Sequence, residues 1–297
     1  MKILLPVDGS ACCDAALAFV AGRPPIEGRR PQIDLLNVQP PLPPLAGRAV
    51  DPDYARARHE ANARKVLKPA VAALQEAGLD PAWFHCVGHP GPEIAQWADE
   101  HDTDLIVMGS HGRTSLKNLL FGSVTQTVLA STNVPLLVVR SPKAPRRSAL
   151  RVGIAIDGSV DSLRAARWVA EHLGFFGRRA RLTLLHVVEP SEEGATPEVA
   201  ETPGAGASPA DAAAAICERV LAPVRERFAV AGRDVACECL SGRPGVEIAR
   251  FASRAGLDLL VLGSHGHGAL TSALVGSVAW RVAAGCDTPL LLLRSPR

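Results

Sequence analysis

The feature that most constrains this chain is that it repeats itself. Residues 109–126, GSHGRTSLKNLLFGSVTQ, and 263–280, GSHGHGALTSALVGSVAW, are identical at nine of eighteen positions. The likeness extends well outside that loop. LLPVDGS (4–10) matches GIAIDGS (153–159), HPGPEIAQWADEHDTDLIVMGSHG (89–112) matches RPGVEIARFASRAGLDLLVLGSHG (243–266), and VPLLVVRSP (134–142) matches TPLLLLRSP (288–296). The offset is 149 residues at Asp8 and Asp157 and 154 at Gly109 and Gly263, so the second copy carries an insertion in its middle. A chain of 297 residues accommodates two such units comfortably.

Each copy alternates short apolar runs with helical spacing. In the first, 2–7 reads as a strand ending in Asp-Gly-Ser, with Ser10 as the N-cap of a helix reaching about residue 21. Further strands are expected at 32–38, 82–87, 104–108 and 135–140. Helices are expected at about 53–77, from near Pro92, and from Ser123. The second copy repeats the strands near 150–156, 180–187, 234–240, 258–262 and 289–294. Its insertion falls in the loop EPSEEGATPEVAETPGAGASPAD (189–211). Fully apolar strands between helices predict helices on both faces of a parallel sheet, and five strands per copy predict a doubly wound α/β domain. SPKAPRRSA (141–149) lies between the copies, so the expected division is a domain over 1–142, a linker over 143–149 and a domain over 150–297.

Composition narrows the function classes. The chain is 47% hydrophobic and has 32 basic against 30 acidic residues, a balance that argues against a dedicated nucleic-acid or membrane-surface binder. There is no run of eighteen apolar residues, and MKILLPVDGS lacks the form of a signal peptide, so a cytoplasmic protein is expected. The seven cysteines form no CxxC or zinc spacing. Cys237 and Cys239 alternate in an apolar stretch and are expected on one strand face, packed in the core. Cys12 and Cys13 fall in the first turn of a helix, where a thiol is activated unless buried. The apolar AALAF that follows favours burial, so at most one of the pair is expected to react quickly.

The repeated loop has the form G-x2-G-x9-G-S, given by Gly109, Gly112, Gly122 and Ser123 and again by Gly263, Gly266, Gly276 and Ser277. It follows an apolar strand and opens a helix. Backbone amides at a helix N-terminus hold anionic oxygens, and glycine both clears the approach and permits positive φ. This is a phosphate-site pattern, and neither a Walker loop nor a G-x-G-x-x-G fingerprint competes with it. His111 and His265 sit between Ser and Gly and are expected to bond their own turns. HGH (265–267) has no carboxylate or cysteine beside it, so no metal site is expected.

Both copies resemble the universal stress protein domain, on LLPVDGS, GSHGRTSLKNLLFGSVTQTVLASTNVPLLVVR and their counterparts, and the whole chain resembles a tandem member of that family's ATP-binding subgroup. The resemblance implies an adenine nucleotide alpha hydrolase-like fold with two halves related by a pseudo-two-fold axis. It places Asp8 and Asp157 by the ribose and adenine, and the backbones of Val38 and Val187 against the adenine. The nucleotide-contact set implied is Pro6, Asp8, Val38, Met108, Gly109, Gly112, Arg113, Gly122, Ser123, Val124 and Thr125 in the first copy. In the second it is Asp157, Val187, Leu262, Gly263, Gly266, Gly276, Ser277 and Val278. The expected ligand is ATP or AMP, with or without magnesium. The final strands are expected to pair, within one molecule or in a homodimer. Two departures stand out: Pro6 becomes Ala155, and Thr125 becomes Ala279. With Asp8 the one acidic candidate near the first loop and no Walker lysine, no catalytic residue is assigned, and binding without efficient turnover is the expected role. A weak ATPase or phosphotransferase and a nucleotide-independent scaffold are the alternatives.

Overall fold

The computed structural model describes residues 1–26, 28, 30–42, 51–110, 121–140, 149–189, 209–264 and 276–294. The first half runs β1 (Lys2–Pro6), α1 (Ala11–Ala21), β2 (Gln32–Gln39), α2 (Pro52–Glu76), β3 (Ala82–Val87), α3 (Pro90–Glu100), β4 (Leu105–Gly109), α4 (Ser123–Ser131) and β5 (Leu136–Val139). The second runs β6 (Arg151–Ala155), α5 (Val160–Glu171), a one-turn α6 (Leu173–Phe176), β7 (Arg181–Val188) and α7 (Pro209–Val230), then β8 (Ala236–Ser241), α8 (Pro244–Ala255), β9 (Leu259–Gly263), α9 (Ser277–Gly285) and β10 (Leu290–Leu293). The short α6 has no counterpart in the sequence reading, and α3 opens two residues before Pro92.

All ten strands join one sheet in the order β3-β2-β1-β4-β5-β10-β9-β6-β7-β8. Pairing is parallel inside each half. The halves meet where β5 and β10 run antiparallel, Leu290 opposite Val138 and Leu292 opposite Leu136. The final strands therefore pair within this one chain, as the resemblance implied.

The alternation of a strand explains why both faces are covered. Ile3 and Leu5 point to one side, into the layer that also holds Phe19 of α1, Leu67 of α2, Val169 of α5 and Phe228 of α7. Leu4 points to the other, where Ile94 of α3, Val128 of α4, Phe251 of α8 and Val282 of α9 close the second layer. Each apolar layer runs unbroken through both halves. Phe19 and Phe175, from different halves, approach to 6.3 Å between ring centroids.

Apolarity holds for the central strands and fails at the edges. β3 and β8 are largely exposed, and Trp83 of β3 is 43% exposed. This overturns the core placement of Cys237 and Cys239. Both lie on the exposed edge strand β8; Cys237 is a free, exposed thiol, and Cys239 forms a disulfide with Cys217 of α7. An edge strand has a neighbour on one side only, which an alternating pattern does not reveal.

Candidate functional site

In each half the chain changes direction across the sheet between its first and fourth strands, β1 and β4 or β6 and β9, the switch point where α/β folds bind ligands. The first half holds a cavity of about 290 Å³ there. Its walls include Pro6, Asp8, Val38, Met108, Gly109, Gly122, Ser123, Val124 and Thr125. Nine of the expected contact residues are thus brought together from β1, β2, β4, α4 and the turns beside them. Gly112 and Arg113, and Gly266 in the second half, lie outside the described residues, as do His111 and the segment HGH.

The Asp-Gly-Ser turn builds one wall. Asp8 accepts the Ser10 amide at 2.9 Å, and Ser10 Oγ caps α1 by accepting the Cys13 amide at 3.2 Å. Between them Gly9 takes φ 75°, a conformation that favours glycine. The second half repeats the turn with Asp157, Gly158 at φ 83° and Ser159, which caps α5. The adjoining strand ends are fixed by side chains that the sequence reading passed over. Asn37 Nδ2 donates to the Val7 carbonyl at 2.6 Å, and His186 Nδ1 lies 2.7 Å from the Ile156 carbonyl in the matching place. Each precedes the valine, Val38 or Val187, whose backbone was expected at the adenine.

The glycine-rich loop begins and ends on a clasp. The Ser110 amide donates to the Val139 carbonyl at 3.0 Å, and the Gly122 amide donates to the Ser110 carbonyl at 2.7 Å. In the second half Ser264 donates to Leu293 at 2.7 Å, and Gly276 donates to Ser264 at 2.8 Å. The loop ends are therefore held together, and α4 and α9 start with Gly122 and Gly276 as N-caps and no side-chain cap bond. Ser110 and Ser264 stand in both copies of GSHG, which was the signal available for them.

The structure corrects one reading of this loop. The backbone at Gly122 has φ −65°, and at Gly276 φ −62°, while Gly109 and Gly263 are also absent from the positive-φ glycines. Positive φ therefore explains none of these four. Gly109 is glycine because a Cβ there would meet Cys12 of α1 at 2.6–2.9 Å, and Gly263 because a Cβ would meet Asp161 and Ser162 of α5 at 2.8–2.9 Å. These glycines bring a helix close to a strand end. Thr125 lines the cavity as expected, is buried and donates to the Gly109 carbonyl at 3.4 Å. Its hydroxyl ties α4 to β4, a link that Ala279 cannot make in the second half.

Aligning the first turns of α1 and α5 exposes a difference between the halves. Cys12 and Cys13 correspond to Asp161 and Ser162. Asp161 is buried and accepts a hydrogen bond from Ser264 Oγ at 3.1 Å, so the second site carries a carboxylate at its strand end where the first has a thiol. Cys13 lies in the first cavity, is 4% exposed, and its thiol reaches the Pro6 carbonyl at 3.9 Å. Burial, with a smaller contribution from the Asp8 charge, pushes its pKa up to about 11. Cys12 is only partly buried. In native protein, iodoacetamide is expected to label Cys12 and leave Cys13, since a thiol of that pKa holds about a hundredfold less thiolate than an ordinary one at neutral pH. Mass mapping after timed alkylation checks this, and rapid labelling of both contradicts it.

A larger cleft of about 800 Å³ runs between the flanks of α1 and α2, over residues such as Leu17, Lys65 and Ala73. It is lined by none of the strand-end and α4 residues Met108, Gly109, Gly122 and Ser123, so it lacks the second helix start of the switch-point cavity. Among the described residues no three His, Cys, Asp or Glu side chains group as a metal site, and no helix is long and apolar enough to cross a membrane.

Comparison with known proteins agrees with this architecture. Universal stress protein Rv2005c of Mycobacterium tuberculosis is 29% identical over 98% of this chain and 96% of its own. Universal stress protein MJ0577 of Methanocaldococcus jannaschii is 43% identical over 78 residues, 26% of this chain and 48% of that relative's length. The fold matches the crystal structure of a universal stress protein from Archaeoglobus fulgidus with a TM-score of 0.70 at 23% identity, covering 99% of this chain and 98% of that one. The model of the universal stress protein family matches twice, over residues 1–140 and 149–294, and the chain belongs to that family.

Proposed function

We propose that each half binds one adenine nucleotide, ATP or AMP, at its switch point, and that the protein acts as a nucleotide-responsive regulator without efficient turnover. Its units are 1–142 and 150–297, joined by 143–149, in the cytoplasm. The observation that carries this reading is the convergence, in one cavity, of the capped Asp-Gly-Ser turn and the uncapped N-terminus of α4. Two helix starts aimed at one space suit a polyanion. The apolar walls, Val38, Met108 and Ile94, suit a flat base. In the binding pose, phosphates lie over Gly122 and Ser123, the ribose lies by Asp8, and the base meets Val38. The second half uses Gly276, Ser277, Asp157 and Val187.

Magnesium fits as a companion of the phosphates. Among the described residues Asp8 is the one carboxylate lining the first cavity, and one carboxylate plus phosphate oxygens is an ordinary magnesium environment. The same scarcity argues against phosphoryl transfer, which needs a positioned nucleophile and several cations.

The test is Gly122→Val with Gly276→Val. Both glycines have extended backbones that valine tolerates, so the fold is expected to survive. The added side chains stand over the first helical amides and are expected to weaken ATP binding by at least about tenfold. Unchanged affinity of a folded double variant would remove the proposal. Timed ADP production separates a binder from a weak ATPase.

A further inference from the structure

The two sites are joined by a closed circuit of hydrogen bonds through the antiparallel seam. Arg140 directly follows Val139 of β5, and Arg294 directly follows Leu293 of β10, at equivalent positions of the two copies. Each reaches into the other half. Arg294 Nη1 donates to the carbonyls of Leu129 at 3.1 Å and Ala130 at 2.9 Å, in the last turn of α4. Arg140 Nη1 donates to the carbonyl of Cys286, the C-cap residue of α9. Arg294 is 8% exposed and Arg140 is partly buried, so these are not surface contacts.

At the other end of the same helices stand the proposed phosphate amides. The N-cap of α4, Gly122, bonds to Ser110, which bonds to Val139, the neighbour of Arg140. The N-cap of α9, Gly276, bonds to Ser264, which bonds to Leu293, the neighbour of Arg294. The circuit thus runs from one site through its strand end and arginine to the far end of the other site's helix, and back. Every link is a peptide bond, a hydrogen bond or a nine-residue helix.

We propose that Arg140 and Arg294 are positioning residues that couple the two nucleotide sites; this rests on the nucleotide reading above. The guanidinium acts at the negative end of the helix and the phosphate at the positive end, so the two stabilise the same helix. A nucleotide on α4 fixes Gly122, Ser110 and Val139, and with them Arg140. That arginine holds the end of α9, whose first amides form the second site. Ordering this circuit once means that the second nucleotide meets a helix already held, and coupling is positive. By reciprocity the effect is the same whichever site fills first.

The experiment is two-site calorimetry with ATP on the full chain, alongside the single variants Gly122→Val and Gly276→Val, which report each site alone. Filling one site is expected to tighten the other about three- to tenfold, at the lower end of the usual coupling range. Arg140→Met and Arg294→Met are expected to bring that factor to about one. Arg294→Lys keeps a cation at the end of α4 with fewer donors; it guards against a folding defect and is expected to lower the factor to about twofold or less. Binding at both sites without coupling overturns the proposal and leaves the nucleotide reading standing. Coupling undiminished in the arginine variants overturns it as well. Absence of binding at either site overturns both.

Discussion

ATP is expected to bind the first half about ten- to a hundredfold more tightly than the second, measured site by site at low salt. In the loop after Gly112 the first copy has Arg113, Lys117 and Asn118, where the second has His267, Thr271 and Ser272. The sequence of the second copy's long connection adds Glu189, Glu192, Glu193, Glu198, Glu201 and Asp211, with no Lys or Arg between Arg181 and Arg219. The tertiary structure contributes Asp161, a buried carboxylate on Ser264 at the strand end that the phosphates would cross, where the first half has Cys12. A unit charge 6–8 Å from a phosphate, at an effective dielectric of 20–40, is worth roughly 1–2 kcal/mol before screening by salt. Two missing cations therefore suffice for the stated ratio, and Asp161 acts in the same direction. Calorimetry on Gly122→Val and Gly276→Val separately gives the two affinities. Asp161→Asn in the Gly122→Val background is expected to recover about three- to tenfold at the second site. Equal affinities at the two sites, or a tighter second site, contradict the charge argument.

The second large effect concerns the Cys217–Cys239 disulfide. It joins residues 22 apart in sequence, tying α7 to the edge strand β8. Closing a loop of that length restricts the unfolded chain by about 3 kcal/mol at 25 °C on the chain-entropy model. Oxidised protein is expected to show five titratable thiols of the seven cysteines when unfolded without reductant. Cys217→Ser, or treatment with dithiothreitol, is expected to destabilise the second half by that amount, while the first half, which has no disulfide among its described residues, is unaffected. Urea unfolding followed with and without reductant, with hydrogen exchange to separate the halves, measures it. Seven reactive thiols in protein unfolded without reductant, or identical unfolding curves, would show that the bridge contributes nothing.

Much of the fold was legible because it depends on local pattern. Apolar runs between helical segments gave the five strands of each half, and the Asp-Gly-Ser and Gly-Ser motifs gave the helix starts. Since strand ends in a parallel sheet share one edge, those motifs had to meet there, and nine expected residues do line one cavity. The roles of individual residues were less legible. Gly109 and Gly263 were read as clearance for a ligand, yet each has a helix against it. Thr125 was expected in the site and lines the cavity, but its hydroxyl's bond across the joint between α4 and β4 was not legible.

What the sequence determined by itself is the duplication, the strand–helix order of each copy, and the edge of the sheet where the glycine-rich turns gather. These follow from periodicity and turn chemistry, which act over a few residues. Only the tertiary structure decided that Asp161 sits at the second strand end, that Cys239 bonds Cys217, and that Arg140 and Arg294 cross to the opposite half. The first contact follows from the strand order that sets β6 beside β9, the second from how α7 packs on the edge strand after it, and the arginine contacts from the antiparallel seam. An arginine after an apolar strand looks the same in sequence whether it meets water or the carbonyls at the end of a neighbouring helix. The packing of the two copies against one another makes that choice.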